Sequence, residues 1–351
     1  EDMLPLSVIE LVDSVLMLAV AFTIAYISGD KLIYYGVCVA VVSFFALFMK
    51  FCWCRYAYNE YKIRLKENRG CLYIKEMLGF TGWNLFGGLA MIGRNQGVAV
   101  IINLFFGTIV NAAYGVANQI NGALGHFSTT FQKAINPQLM KSEGMNDRNR
   151  LLRISYISSK FSVLALAFFA IPIMLEMDEV LTLWLNNNIP PYTMRLAQFI
   201  LLLSLTYQYS VGIMSAIQAT GNIRNYQITI GFILLMNIPI AYIILKLGYP
   251  VYYTTIAFVA LEIISLGLRL FMANRLIGMR LKDFYKNVFY PTLVVILIPL
   301  VMVLIPHFLM PQTIIRLILE TSLYWLLFII LMFKFALEKE QRTLIIKKLN
   351  V

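Results

Sequence analysis

Long apolar stretches recur along the whole chain and are separated by short polar segments. Each stretch holds about 20 or more mainly apolar residues, the length that an α-helix needs to cross the hydrocarbon core of a membrane. The pattern predicts an all-α integral membrane protein with about ten transmembrane helices. The predicted spans cover residues 7–27, 32–54, 78–106, 109–137, 155–176, 193–219, 226–247, 252–272, 288–308 and 314–336.

The fourth span, within segment 105–144, is polar on one face and apolar on the other. At helical spacing, the polar and small residues of one stripe are Asn111, Tyr114, Asn118, Asn121, Gly122, Gly125, Thr129, Gln132 and Asn136. A polar group that faces lipid tails without a partner costs several kcal/mol. We therefore expect the stripe to face other helices or a water-filled cavity, and a lined cavity inside a membrane is typical of a transporter.

The third span carries an arginine, Arg94, near its middle. Its helical face also holds Asn84, Gly87, Gly88, Met91 and Asn95. A mid-membrane arginine costs about 2.5–3.5 kcal/mol on insertion scales, so its side chain should have a polar partner. One interpretation is binding of an anionic group such as pyrophosphate, which matches the planar guanidinium. The alternative is an internal ion pair or bonds to backbone carbonyls, and the neighbouring polar stripe favours the first.

Other polar positions inside the spans allow more than one interpretation. The sixth span has a polar face, and this face either lines a cavity or packs closely on another helix. Its residues are Ser204, Gln208, Gly212, Ser215 and Gln218. Glu262, Asp13 and His126 are candidates for ion coupling, because titratable groups in a membrane can carry protons or cations. Each also has a structural interpretation, respectively a buried carboxyl, an interfacial acid and a packing histidine.

Two pairs of opposite charges lie within single spans. Glu262 and Arg269 share a helical face, but seven residues separate them by about 10.5 Å along the axis. That distance predicts no direct bond unless the helix bends. Arg316 and Glu320 are one turn apart, and this spacing predicts an ion pair.

Composition and charge define the class of protein further. Apolar residues make up 60% of the chain and charged residues 13%, which leaves no sizeable soluble domain. The net charge of +11 comes from basic residues in alternate loops. These loops and the tail are predicted to be cytoplasmic, and they cover 55–77, 138–154, 220–225, 273–287 and 337–351. Topology accounts for the positive charge, so we expect no nucleic-acid partner.

No recognisable catalytic, nucleotide or metal motif occurs in the sequence. We therefore expect a protein that is not an enzyme and that needs no cofactor. Cys38, Cys52, Cys54 and Cys71 are interpreted as reduced structural thiols. Together with the two histidines, they lack the spacing of a zinc site, so no metal ligand is predicted.

Several segments resemble one membrane protein family. FFGTIVNAAYGVANQI followed by AINPQLMKSEG is similar to the seventh and eighth helices of Wzx-type flippases, which belong to the MATE-like multidrug/oligosaccharidyl-lipid/polysaccharide superfamily. Further similar segments are EDMLPLSVIELVDSVLML, DKLIYYG, MKFCWCRYAYNEYK, GFTGWNLFG and ATGNIRNYQ. Their order and spacing extend the resemblance over essentially the whole chain.

The resemblance implies two six-helix lobes around a central cavity. It assigns 1–54 to the last two helices of the first lobe, 55–77 to a basic cytoplasmic linker and 78–272 to the complete second lobe. Residues 288–336 are then an additional helix pair, followed by a cytoplasmic tail. The first four helices of the family have no counterpart here, and the first residue is Glu1, so we expect an N-terminally truncated chain.

The function implied by the resemblance is translocation of an undecaprenyl-pyrophosphate-linked oligosaccharide across the bacterial inner membrane, for O-antigen, capsule or exopolysaccharide assembly. Other polysaccharide-assembly proteins are then expected partners. The candidate substrate-binding residues are Arg94, Asn84, Asn95, Asn111, Tyr114, Asn118, Asn121, Gln132 and Gln208. The alternatives are a MATE-type drug or cation antiporter, a membrane-embedded glycan polymerase and a scaffold protein. Short external loops disfavour the polymerase, and the amides with Arg94 disfavour the antiporter.

Overall fold

The computed structural model describes residues 4–26, 30–57, 71–186, 188–337 and 342–343, and its regular elements in these ranges are all helical. Nine helical segments of this described part are long and apolar enough to cross a membrane. The prediction of an all-α multi-pass membrane protein is confirmed. The helices are α1 (Leu4–Tyr26), α2 (Lys31–Ala57), α3 (Cys71–Gly144), α4 (Arg148–Leu175), α5 (Met177–Leu185), α6 (Thr193–Ala219), α7 (Arg224–Lys246), α8 (Tyr252–Ile277), α9 (Leu281–Phe284), α10 (Tyr290–Leu309) and α11 (Ile314–Leu331).

Helix α3 consists of two segments that meet at Gly107. This residue has φ 75° and ψ −170°, a conformation that glycine adopts without strain because it has no Cβ. The segment before it runs parallel to α7, since Asn84 bonds to Gln227 and Gly97 lies against Ile238.

The segment after Gly107 runs antiparallel to α4. Phe127 stacks on Phe169, and Phe131 lies beside Phe161, so residue numbers rise along one helix as they fall along the other. Helices α4 and α7 both start on the side where α6 ends. The chain therefore reverses at Gly107, and the two halves of α3 correspond to the third and fourth predicted spans.

Helices α4 and α6 approach each other closely at Gly212. Its N–H donates to Ser159 Oγ at 3.1 Å, and a Cβ added there would lie 2.0 Å from the carbonyl oxygen of Ser155. At the other end of α6, Gln198 Nε2 donates to the carbonyl oxygen of Met174 at 2.9 Å. This antiparallel pair lies at the centre of the helical bundle, and buried apolar side chains from α3, α8, α10 and α11 pack with it.

The chain forms two compact units, Glu1–Cys71 and Leu72–Val351. In the first unit α1 and α2 pack as an antiparallel hairpin, because the first turns of α1 and the last turns of α2 line one apolar groove. The second unit contains nearly all of α3 and every later helix. The predicted linker 55–77 and the predicted tail 337–351 lie largely outside the described residues.

Candidate functional site

A cavity of about 420 Å³ lies inside the second unit, between both halves of α3 and helices α6, α7 and α8. Its volume is within the range of small-molecule sites, about 300–1,000 Å³. Val98, Leu203 and Phe258 contribute apolar wall. The polar lining residues are Asn84, Arg94, Asn95, Tyr114, Asn118, Asn121, Ser204, Tyr207, Gln208, Gln218, Tyr226, Gln227, Thr255, Glu262 and Arg269.

Most of the predicted substrate-binding residues lie in this lining. The structure places Arg94, Asn84, Asn95, Tyr114, Asn118, Asn121 and Gln208 there. Gln132 contacts the lining from outside, because its Nε2 donates to Gln208 Oε1 at 3.2 Å. Asn111 is half-buried and does not contribute to the wall. The polar stripe of the fourth span therefore faces the cavity from Tyr114 to Asn121, in the first half of the span, and a role in binding stays a prediction.

The sequence of α6 allows two interpretations of its polar face, cavity lining and close helix packing, and different residues of the face fit each one. Ser204, Gln208 and Gln218 line the cavity. Gly212 packs on the backbone of α4, and Ser215 is 4% exposed and lies outside the lining. Cavity lining and close helix packing therefore both occur on this one helix.

Arg94 is half-buried in the cavity wall. Its Nε donates to Oδ1 of the neighbouring Asn95 at 3.1 Å. Within the described ranges, no carboxylate lies within ion-pairing distance of Arg94. The guanidinium thus brings a positive charge to the cavity that no described acid neutralises. This arrangement disfavours the internal ion pair as the explanation of Arg94.

A second arginine in the cavity wall is neutralised. Arg269 Nη1 donates to Glu262 Oε1 at 2.5 Å and to Ser210 Oγ at 2.9 Å. Arg269 and Glu262 are 1% and 3% exposed. The guanidinium also lies over the ring of Tyr207, 5.5 Å from its centroid, in a cation–π contact.

The expectation that Glu262 and Arg269 are too far apart to bond is therefore wrong. Side chains on a helix lean towards its N-terminus, so the long arginine side chain extends back along the two turns that separate the Cα atoms. The prediction from the distance along the helix axis did not take the length of the arginine side chain into account. The ion pair favours the structural interpretation of Glu262.

Neither of the other two ion-coupling candidates is among the residues that line the cavity. His126 is exposed, and its carbonyl oxygen accepts hydrogen bonds from the Thr129 and Thr130 hydroxyls of its own helix. Asp13 belongs to α1 in the first unit and is half-buried there.

Two contacts of residues that line the cavity were not predicted from the sequence. Gln227 Nε2, at the start of α7, donates to Asn84 Oδ1 at 3.0 Å, across 143 residues of chain. The Gln227 amide also lies against Gly87, where a Cβ would come within 2.1 Å of its oxygen. The only sequence signal was a polar residue on the first turn of an apolar helix. Helical periodicity cannot identify the partner of such a residue on another helix.

Comparison of the chain with protein-family models, with curated proteins and with solved structures gives no match.

Proposed function

We propose that this multi-pass membrane protein is a flippase that moves an undecaprenyl-pyrophosphate-linked oligosaccharide across the bacterial inner membrane. The observation that carries the proposal is Arg94, a cation without a carboxylate partner among the described residues, in the wall of an amide-rich cavity inside the helical bundle. A guanidinium presents several N–H donors in one plane, which suits phosphate oxygens. The product would feed O-antigen, capsule or exopolysaccharide assembly.

The lining suggests how such a substrate is held. Asn84, Asn118 and Gln208 offer both donors and acceptors, which suit sugar hydroxyls. Arg94 binds the pyrophosphate, and the polyprenyl chain stays in the bilayer. Alternating access would then expose this one cavity to each side of the membrane in turn.

A drug or cation antiporter is less well supported. Such a protein needs an acidic group that is free to bind an organic cation. Among the described lining residues Glu262 is the only carboxylate, and Arg269 already neutralises it. The net charge that remains in the lining is positive, which favours an anionic substrate.

The proposal is tested with the purified chain in liposomes that contain a fluorescent polyprenyl-pyrophosphate oligosaccharide. We expect faster translocation, measured by quenching of the outer-leaflet label, than in vesicles without protein. For a glycolipid with the same glycan but an uncharged linkage, the protein should increase the translocation rate only slightly. The proposal would be contradicted if the protein accelerated the translocation of both lipids equally. It would also be contradicted if folded protein accelerated the translocation of neither lipid.

The orientation is a separate prediction. The basic loops predict that the segment between α3 and α4 is cytoplasmic and that the segment between α5 and α6 is outside. Single cysteines at Met145 and Asn188, both exposed, probe these segments in a background without the native cysteines. In intact cells a membrane-impermeant maleimide should label Asn188→Cys and should label Met145→Cys only after lysis. The reverse pattern would contradict the predicted orientation, including a cytoplasmic C-terminus.

A further inference from the structure

Four ionisable residues meet outside the cavity, where α4, α10 and α11 come together. Glu176 lies between α4 and α5, His307 near the end of α10, and Arg316 and Glu320 on the first turns of α11. The two acids are 2% and 1% exposed, and the arginine is 5% exposed. Of this group, the sequence predicted only the Arg316–Glu320 pair, and the 3.6 Å between Arg316 Nε and Glu320 Oε1 confirms it.

Arg316 is engaged on several sides. Its Nη2 donates to Glu176 Oε2 at 2.8 Å, and its Nε lies 2.7 Å from Glu176 Oε1. Its Nη1 donates to the carbonyl oxygens of His307 and Met310, at 3.3 and 3.2 Å. The guanidinium therefore orients the Glu176 carboxylate and joins the end of α10 to the start of α11.

The imidazole of His307 lies between the two carboxylates. Its Nδ1 is 3.2 Å from Glu176 Oε1 and 3.3 Å from Glu320 Oε2. Glu320 Oε1 is buried and has no hydrogen-bond partner in the described part of the chain. One nitrogen and one oxygen from each acid all lie within 4.8 Å of one another. Three atoms of metal-ligating type therefore converge, and Glu320 keeps a buried oxygen that Arg316 Nε faces at 3.6 Å, beyond hydrogen-bond distance.

The spacing suits a tetrahedral ion. Zinc binds histidine nitrogen at about 2.0–2.1 Å and carboxylate oxygen at about 2.0–2.2 Å, so neighbouring ligands of a tetrahedral site are separated by about 3.3 Å. The distances from His307 Nδ1 to the two carboxylate oxygens have this length. A mixed nitrogen and oxygen set also disfavours calcium and magnesium, which prefer oxygen ligands.

The charges of the group also favour a cation. When both carboxylates are ionised and the imidazole is neutral, two carboxylates and one guanidinium leave one negative charge in excess. A carboxylate has about four lone-pair sites, so Glu176 can accept from Arg316 and still bind a metal. Ligating carboxylates are commonly held by such outer hydrogen bonds. His307 is the most accessible member, with 22% of its side chain exposed, and provides the route of access.

We propose that Glu176, His307 and Glu320 form a zinc-binding site that fastens the α10–α11 pair to the junction of α4 and α5. The ligands are Nδ1 of His307 and one oxygen of each carboxylate, with Arg316 as the outer partner of Glu176. Water occupies the fourth position, and its ionisation on zinc would balance the remaining positive charge. Because α4 and α10 both follow predicted cytoplasmic loops, the site faces the opposite side of the membrane. It is independent of the flippase proposal.

The test measures zinc binding to the purified full chain by equilibrium dialysis and by thermal unfolding. All four cysteines are first replaced by serine, so that thiols do not bind the metal. We expect one zinc ion per chain and a rise in unfolding temperature with zinc concentration, because the ion binds the folded state. Magnesium at the same concentration should neither compete nor stabilise.

Matched variants locate the site. Glu320→Gln and His307→Gln should each weaken zinc binding by about 100-fold or more, a larger loss than the 10–100-fold typical of an outer partner. The controls Asp178→Asn and His126→Gln remove an exposed acid and an exposed histidine, and should bind zinc as the cysteine-free parent does. Binding that persists in Glu320→Gln, or a parent that folds but takes up no zinc at micromolar concentration, would overturn the proposal. Neither readout requires transport activity.

Discussion

Arg94→Gln should reduce translocation of the pyrophosphate-linked lipid by about tenfold or more while leaving the protein inserted at normal abundance. A hydrogen bond to a charged group contributes about 1.5–3 kcal/mol, and a loss of 1.4 kcal/mol is a factor of ten. Abundance should not change, because no described carboxylate depends on Arg94 for neutralisation. Arg94→Lys keeps the charge but loses the planar set of donors, so we expect partial activity.

The measurement combines translocation in liposomes with membrane abundance. Arg195→Gln is the matched control, since this exposed arginine contacts the Tyr252 ring and does not line the cavity. Normal translocation by Arg94→Gln at normal abundance would eliminate the substrate-binding role. Low abundance would instead identify Arg94 as a structural residue.

The Glu262–Arg269 pair should give the opposite result, with a large effect on stability. Arg269→Met leaves the buried Glu262 carboxylate without its cationic partner, and Glu262→Gln leaves the buried Arg269 guanidinium without its anionic partner. Breaking a buried pair by removing one partner typically costs about 3–5 kcal/mol, more than replacing both partners. We therefore expect each single variant to be strongly depleted from the membrane. The double variant, with both charges removed, should recover much of the lost abundance.

A double-mutant cycle on thermal unfolding measures this coupling. The comparison pair is Arg148 and Glu143, whose side chains are 43% and 18% exposed and bond at the end of α3. Surface pairs contribute about 0–1 kcal/mol, so their cycle should show little coupling. If the effects of Glu262→Gln and Arg269→Met simply add, the ion pair does not stabilise the fold in the way that the structure indicates.

The spans were predictable because membranes impose a simple rule. A helix must be apolar for about 20 residues to cross the hydrocarbon core, and this rule needs no information about neighbouring helices. The break at Gly107 was predictable for a similar local reason. Residues 78–137 are too long for one crossing, and the two predicted spans leave only residues 107–108 between them. The polar stripe from Tyr114 to Asn121 and the position of Arg94 follow from helical periodicity alone.

The tertiary structure decided which of these polar faces meet. Asn84 bonds Gln227 across 143 residues, and His307 meets Glu176 across 131. Periodicity orients a side chain about its own helix axis, but it carries no information on which helix lies opposite. The Glu262–Arg269 bond likewise depends on the tertiary structure, because the reach of a flexible side chain exceeds what Cα spacing indicates. The sequence by itself thus determined that this is a membrane helical bundle with polar faces, whereas packing between distant helices created the cavity and the four-residue charged group.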